Sequence, residues 1–119
     1  MANENPKLSV EYMHDYVVAT PTDDKILEEA DIQLLENSLV PLIDQNPGIR
    51  MVLNFRKVEF LSSAVLGLLI RVSKKIYESN GQLKLCNIND KIFQIFKITR
   101  LDRIFDIFKT REAAVNDLD

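Results

Sequence analysis

Two adjacent serines, Ser62 and Ser63, stand between a short strand-like stretch, Val58 to Leu61, and the apolar run from Val65 to Ile70. Hydroxyls at such a boundary open a helix, where the first backbone N–H groups lack partners and the helix dipole presents partial positive charge. A phosphate group is welcome there, and so is a plain N-cap, because serine is among the favoured capping residues. The residues by themselves therefore leave the pair as cap, phosphoacceptor or both. Catalytic chemistry is poorly served. Ser63 and the lone His14 could in principle act as nucleophile and base, yet no orienting third group and no oxyanion donors can be identified. There is no Gly-rich phosphate loop and no Gly-x-Ser-x-Gly elbow, and three glycines give the backbone little means of approaching a nucleotide. No residue is assigned a catalytic role, and the chain is read as a protein that is not an enzyme.

Metal chemistry is no better supplied, since one His and one Cys cannot build a Cys/His cluster. Asp23 and Asp24 read as turn carboxylates and His14 as a turn residue, so neither a metal nor another cofactor is expected. Cys86 has no partner for an intrachain disulfide and lies in an apolar run, which makes it a buried thiol.

A chain of 119 residues with 46% hydrophobic and 28% charged residues can bury a modest core and is expected to fold as a single domain over residues 1–119, with a loose start at 1–6. The net charge is −3 and the cations are scattered, so no stripe exists to track a nucleic-acid backbone. No apolar run approaches the roughly 20 residues that cross a bilayer. The first residues lack the basic and apolar regions of a signal peptide, so the cytoplasm is the expected compartment.

The elements that must position the serines follow from periodicity. Leu8 to Met13 alternates apolar with polar as a half-buried strand, His14-Asp15 turns, and Tyr16 to Thr20 returns as a second strand stopped by Pro21. After a polar connection at 21–25, Ile32, Leu35, Leu39, Leu42 and Ile43 mark one face of a helix that contains Pro41 and ends at Asn46-Pro47-Gly48. Ile49 to Phe55 is long enough for a buried strand. Leu66, Leu69, Ile70, Ile76 and Tyr77 then form a second helical face, widened by Leu68 and Val72, with Arg71, Ser73, Lys74, Lys75 and Glu78 on the remaining side. Gly81 is available for a left-handed helix stop, Gln82 to Cys86 reads as a strand, and the Asn87–Asp90 stretch caps a short helix rich in Phe93 and Phe96. Ile104 to Phe108 reads as extended, and Thr110 caps a small terminal helix. Phe93, Phe96, Phe105 and Phe108 are assigned to the core. This order of elements predicts an α/β domain with right-handed crossovers between its later, parallel strands.

The stretch Met51-Val52-Leu53-Asn54-Phe55 followed by Val58-Glu59-Phe60-Leu61-Ser62-Ser63-Ala64-Val65-Leu66-Gly67-Leu68-Leu69 resembles the STAS domain, and within it the small bacterial anti-sigma factor antagonists. That family carries a strand, then a loop ending Asp-Ser-Ser/Thr-Gly-Leu-Gly, then a helix. Laid on this chain, Ser62 takes the place of the aspartate, Ser63 that of the phosphorylated serine, Ala64 that of the next hydroxyl and Val65 that of the glycine, while Leu66-Gly67 match. Gly81 to Ile88 and the segment from Phe93 to Phe105 also resemble the family's fourth strand and closing helix.

The resemblance implies a small STAS-type α/β fold: a mixed sheet of four to five strands, with an N-terminal hairpin and later strands parallel, and about four helices. It further implies phosphorylation at Ser63 and a partner-binding surface of Ser62, Ser63, Ala64, Leu66, Gly67 and Arg71, with Asp23 and Asp24 alongside. The implied partners are an anti-sigma factor that is a small histidine-kinase-like serine kinase, and a PP2C-type phosphatase, met by a monomer or weak dimer. The unphosphorylated form would hold the anti-sigma factor and release a sigma factor. The alternative reading, motivated by Ser62 and Val65, is a constitutive STAS scaffold subunit without a working phosphoswitch. A third, a small-ligand carrier, rests only on the habit of α/β folds to bind ligands at strand ends.

Overall fold

The computed structural model describes residues 7–118; the loose start expected at residues 1–6 lies outside them. A hairpin of β1 (Leu8–Tyr12) and β2 (Val17–Pro21) leads through β3 (Lys25–Ile26) into α1 (Glu29–Asp44). Then come β4 (Arg50–Asn54), β5 (Phe60–Leu61), α2 (Ser63–Glu78), β6 (Gln82–Cys86), α3 (Asp90–Ile98), a 3-10 turn at Leu101–Arg103, β7 (Asp106–Phe108) and α4 (Arg111–Asn116). The main sheet has the order β1-β2-β4-β6-β7, antiparallel only at β1–β2, while β3 and β5 form a separate parallel pair. This is the expected mixed sheet with four helices.

Alternation along the strands sends side chains to two unequal faces. Val17, Ala19, Met51, Leu53, Leu83 and Leu85 point into the larger cluster, where they meet buried residues of α1, α2 and α3. Val18, Val52 and Cys86 point the other way, against Ala114 of α4. With both faces covered, β4 carries the continuous apolar run Met51-Val52-Leu53, whereas β6 alternates and places Lys84 on the α4 face. Within the larger cluster Phe96 and Phe105 pack edge to face with centroids 6.0 Å apart, and Phe93 is partly buried against it. Phe108 instead joins the α4 side. Burial pushes the Cys86 thiol up to about 11, so it remains protonated at neutral pH.

The α4 face also holds Lys84, whose ammonium lies 3.0 Å from Asp106 and 2.9 Å from Asp117, tying β6 to β7 and to the residue after α4. Burial works against its charge, but the hydrogen bonds to the two aspartates prevail and raise its pKa above the ordinary value. A raised pKa stabilises the fold fully below about pH 10.4, and that contribution disappears as pH climbs through the folded value. Lys84→Ala is expected to cost about 2 kcal/mol in urea unfolding near neutral pH. The gap between the two proteins should narrow as the pH rises past that range.

Three local expectations are corrected. Ile70 and Tyr77, read as part of the buried face of α2, are 44% and 48% exposed, and Ser73, read as solvent-facing, is buried in their stead. The left-handed residue at the end of α2 is Asn80 (φ 65°), not Gly81. Gly81 has no side chain because a Cβ there would collide with the Ile49 backbone.

Candidate functional site

Ser62 and Ser63 are held by backbone bonds that begin outside their own helix. The Asp24 carbonyl accepts from the N–H groups of Glu59 (2.7 Å) and Phe60 (3.0 Å), and the Ile26 carbonyl accepts from that of Ser62 (3.1 Å). From the other side the Asn89 carboxamide donates to the carbonyls of Val58 (3.4 Å) and Glu59 (3.1 Å), while its oxygen accepts from Ile92 N–H (2.9 Å) and caps α3. The approach to the serines is thus clamped between β3 and the start of α3. Phe60 remains partly exposed, with the Lys91 ammonium 5.0 Å from its ring centre. Together with Glu59, Asn89 and Asp90 they line a shallow depression of about 300 Å³.

Ser62 occupies the N-cap position in extended backbone (φ −87°, ψ 161°), and its carbonyl accepts from Val65 N–H at 3.0 Å. Ser63 is the first residue of the helix, so of the two serines left open as caps it is Ser62 that holds the N-cap position. Yet Ser62 does not cap with its side chain: its Oγ makes no hydrogen bond and is buried. The N–H groups of Ser63 and Ala64 belong to the first turn and have no intrahelical acceptor. Both residues are exposed. An anion on Ser63 Oγ would therefore sit at the positive end of a sixteen-residue helix.

Stability can separate the two polar residues at these helix starts. Replacing a working N-cap by alanine costs about 1 kcal/mol. Ser62→Ala should change the unfolding free energy by less than about 0.5 kcal/mol, because it removes a buried hydroxyl without a partner. Asn89→Ala, which loses one capping and two clamping bonds, should cost about 2 kcal/mol in the same denaturant titration.

The remaining candidate residues divide sharply. Gly67 and Arg71 follow Ser63 at intervals of four and lie on its side of α2, with Ile70 and Tyr77 continuing the exposed stripe at intervals of seven. Leu66 is buried and supports the loop from within the core, so its side chain is not on the outer face. Arg71 is exposed but already forks onto Glu36 of α1 (2.9 and 3.3 Å), a bond that raises its pKa. Asp23 is engaged by Lys7 at 2.9 Å, whereas the exposed Asp24 joins the site through its backbone. Ile70 and Tyr77 read as core in the sequence because an apolar residue on a helix does so unless its angular position is outvoted.

His14 lies in the turn before β2, at the N-terminal end of the parallel strands, and Ser63 follows their C-terminal end. The two are at opposite ends of the sheet and cannot pair as nucleophile and base. Among the described residues no group of three or more His, Cys, Asp or Glu could hold a metal ion, and no helix is long and apolar enough to cross a membrane.

Comparison with known proteins places this geometry. The sequence pattern described as the STAS domain matches residues 25–114, from β3 through most of α4. The chain belongs to the STAS domain family. It is similar to the anti-sigma-B factor antagonist of Bacillus subtilis, 33% identical over 82 residues that cover 69% of this chain and 73% of the relative. Among solved STAS structures it superposes on an anti-sigma factor antagonist from Mycobacterium paratuberculosis with a TM-score of 0.82 at 21% identity, covering 93% of this chain and 92% of that one. The Bacillus protein SpoIIAA has been solved in unphosphorylated and phosphorylated forms. Against this chain they give TM-scores of 0.75 and 0.66 at 17% and 18% identity, covering 92% of this chain and 93% and 96% of theirs. At these identities the structural likeness establishes the STAS fold.

Proposed function

We propose that this STAS protein is a cytoplasmic anti-sigma factor antagonist, a binding module in which Ser63 is a phosphorylation switch. The observation that carries the reading is the position of Ser63: an exposed hydroxyl on the first residue of α2, where the Ser63 and Ala64 N–H groups lack intrahelical acceptors. The curated relative is named for antagonising an anti-sigma factor, and SpoIIAA is known in both phosphorylation states. Unphosphorylated, the Ser63 turn and the outer side of α2, with Gly67, Ile70 and Arg71, dock on an anti-sigma factor that is itself a histidine-kinase-like serine kinase. Docking frees the sigma factor. Phosphate on Ser63 ends the docking, and a PP2C-type phosphatase restores it.

The assignment is tested with the cognate kinase and ATP. Native protein and Ser62→Ala should each gain one phosphate and Ser63→Ala none; equal phosphate on Ser63→Ala and native protein refutes it. One feature favours the constitutive alternative: the residue before the acceptor is a serine whose hydroxyl is buried, so no carboxylate stands there to meet a kinase's metal or basic groups. A Ser63→Asp variant that binds the anti-sigma factor as tightly as native protein would decide for that alternative.

A further inference from the structure

The two most exposed aliphatic side chains of the described residues are Ile98 (80%) and Ile104 (63%), and they flank one tight turn. Around them stand Lys97, Arg100 and Arg103, all exposed. Among the described residues none of these three cations meets a carboxylate at ion-pairing distance, although Arg50, Arg71, Lys75, Lys84 and Arg111 all do. Lys97 leans only on the Phe93 ring, 5.9 Å from its centre. Unpaired cations around two solvent-facing isoleucines form a surface that suits an acidic partner with apolar anchors.

The chain carries that complement itself. At the start of α1, Glu28 and Glu29 are exposed and hold no ion pair among the described residues, and the exposed Leu27 immediately precedes them. The topology puts the two surfaces at opposite ends of the molecule. The start of α1 follows β2 and lies at the C-terminal end of the parallel strands, with Ser63. The turn 98–104 lies between α3 and the beginning of β7, at the N-terminal end. One molecule cannot bring them together, but two can.

We propose that the turn around Ile98 and Ile104 docks the acidic first turn of α1 from a second copy of this chain. The contact is heterologous, head to tail, and leaves a free acidic turn and a free basic turn at the two ends of every assembly, so it adds copies rather than closing a symmetric pair. It also covers the end of the sheet that carries Ser63, so that self-association competes with docking of another protein there. The contact area is small and partly ionic, which makes the association weak and sensitive to salt.

Sedimentation velocity on the full chain tests it, with Lys97→Glu/Arg103→Glu and Glu28→Lys/Glu29→Lys as charge-reversed variants. In about 20 mM salt the weight-average mass of native protein should at least double between about 10 μM and 1 mM, and most of that rise should vanish at about 0.5 M salt. Each variant alone, carrying two ends of like charge, should stay monomeric, and an equimolar mixture should recover the native concentration dependence. An Ile98→Ser variant should lose the association with its charges intact. Native protein that remains monomeric at the top concentration assigns the turn to an acidic partner of another sequence and overturns the proposal. So does a mixture of the reversed variants that fails to associate.

Discussion

Replacing Gly81 by alanine is expected to cost about 3 kcal/mol, the upper part of the range for overpacking a well-packed site. An alanine Cβ at this position would stand 2.3 Å from the Ile49 carbonyl oxygen, 3.1 Å from the Ile49 nitrogen and 3.0 Å from a methyl of Ile76. Two of these three neighbours are backbone, and they are fixed. The same Ile49 carbonyl accepts the Gln82 N–H at 2.9 Å, the bond that starts the β4–β6 ladder, and the Gly81 N–H is committed to the Ile76 carbonyl, also at 2.9 Å. Relief of the contact must therefore open either the ladder or the last turn of α2. Against a domain stability of about 5–15 kcal/mol the loss is large, and urea titration of the purified variant reads it directly. A loss below about 1 kcal/mol would show that the chain can shift there at little cost.

Gly67→Ala serves as its control with the opposite sign. The nearest atom to a Cβ at Gly67 is the end of the Arg71 side chain at 3.7 Å, an ordinary contact. Removing a glycine from a helix interior is worth about 0.8–1 kcal/mol. Gly67→Ala should therefore raise the stability of the fold, while adding a methyl to the proposed docking side of α2.

Gly81 also shows where reading the sequence stops. A glycine after Ser79-Asn80 signals the end of a helix, and the helix does end there. Which of the two residues takes the left-handed backbone, and why the other has no side chain, depends on how close Ile49 passes, and Ile49 is thirty-two positions away in the chain. The long elements were legible because their patterns are strong: the apolar spacing of α1, the run of β4 and the alternation of β6 all lie where the pattern puts them, Thr110 caps α4, and the cap of α3, Asn89, falls within the stretch Asn87–Asp90. The β3–β5 pair was not legible. β5 falls inside the strand-like stretch Val58 to Leu61, but its two-residue partner β3 is too short for alternation to register, and the pairing rests on the Asp24 and Ile26 carbonyls, which any side chain could supply.

Lys84 was hidden for a different reason. Between Leu83 and Leu85 it reads as the solvent-facing member of a half-buried strand, yet α4 covers that face and the aspartates of β7 and the α4 terminus receive it. The candidate site itself was legible in outline, since hydroxyls ahead of an apolar run mark a helix start whatever surrounds them. Exposure sets the two serines apart: the Ser62 hydroxyl is buried without a hydrogen bond, and the Ser63 side chain, the proposed acceptor, is in solvent.

That exposure separates two effects of charge at Ser63 by sign. A negative group on the first residue of a helix is favourable by about 0.3–1 kcal/mol, because the free N–H groups and the dipole face it. Glu59, the acidic residue nearest in sequence, and Asp24, whose backbone carbonyl holds the approach to the serines, are both exposed, so water and salt screen their repulsion. Ser63→Glu should therefore melt within about 3 °C of native protein, as a stability change of half a kcal/mol implies for a domain of this size. Binding should respond very differently. A docking surface shaped to a neutral hydroxyl must desolvate the new charge and meet any like charge on the partner, and a coupling of about 3 kcal/mol changes affinity some 150-fold. Phosphate, with about −1.5 to −2 charges, should exceed the effect of the single carboxylate. Calorimetric titration of the anti-sigma factor into native, Ser63→Glu and phosphorylated protein should then rank the affinities in that descending order, with melting temperatures nearly equal. Loss of affinity accompanied by an equal loss of stability would instead place the switch in unfolding of the loop, and unchanged affinity would leave Ser63 outside the docking face.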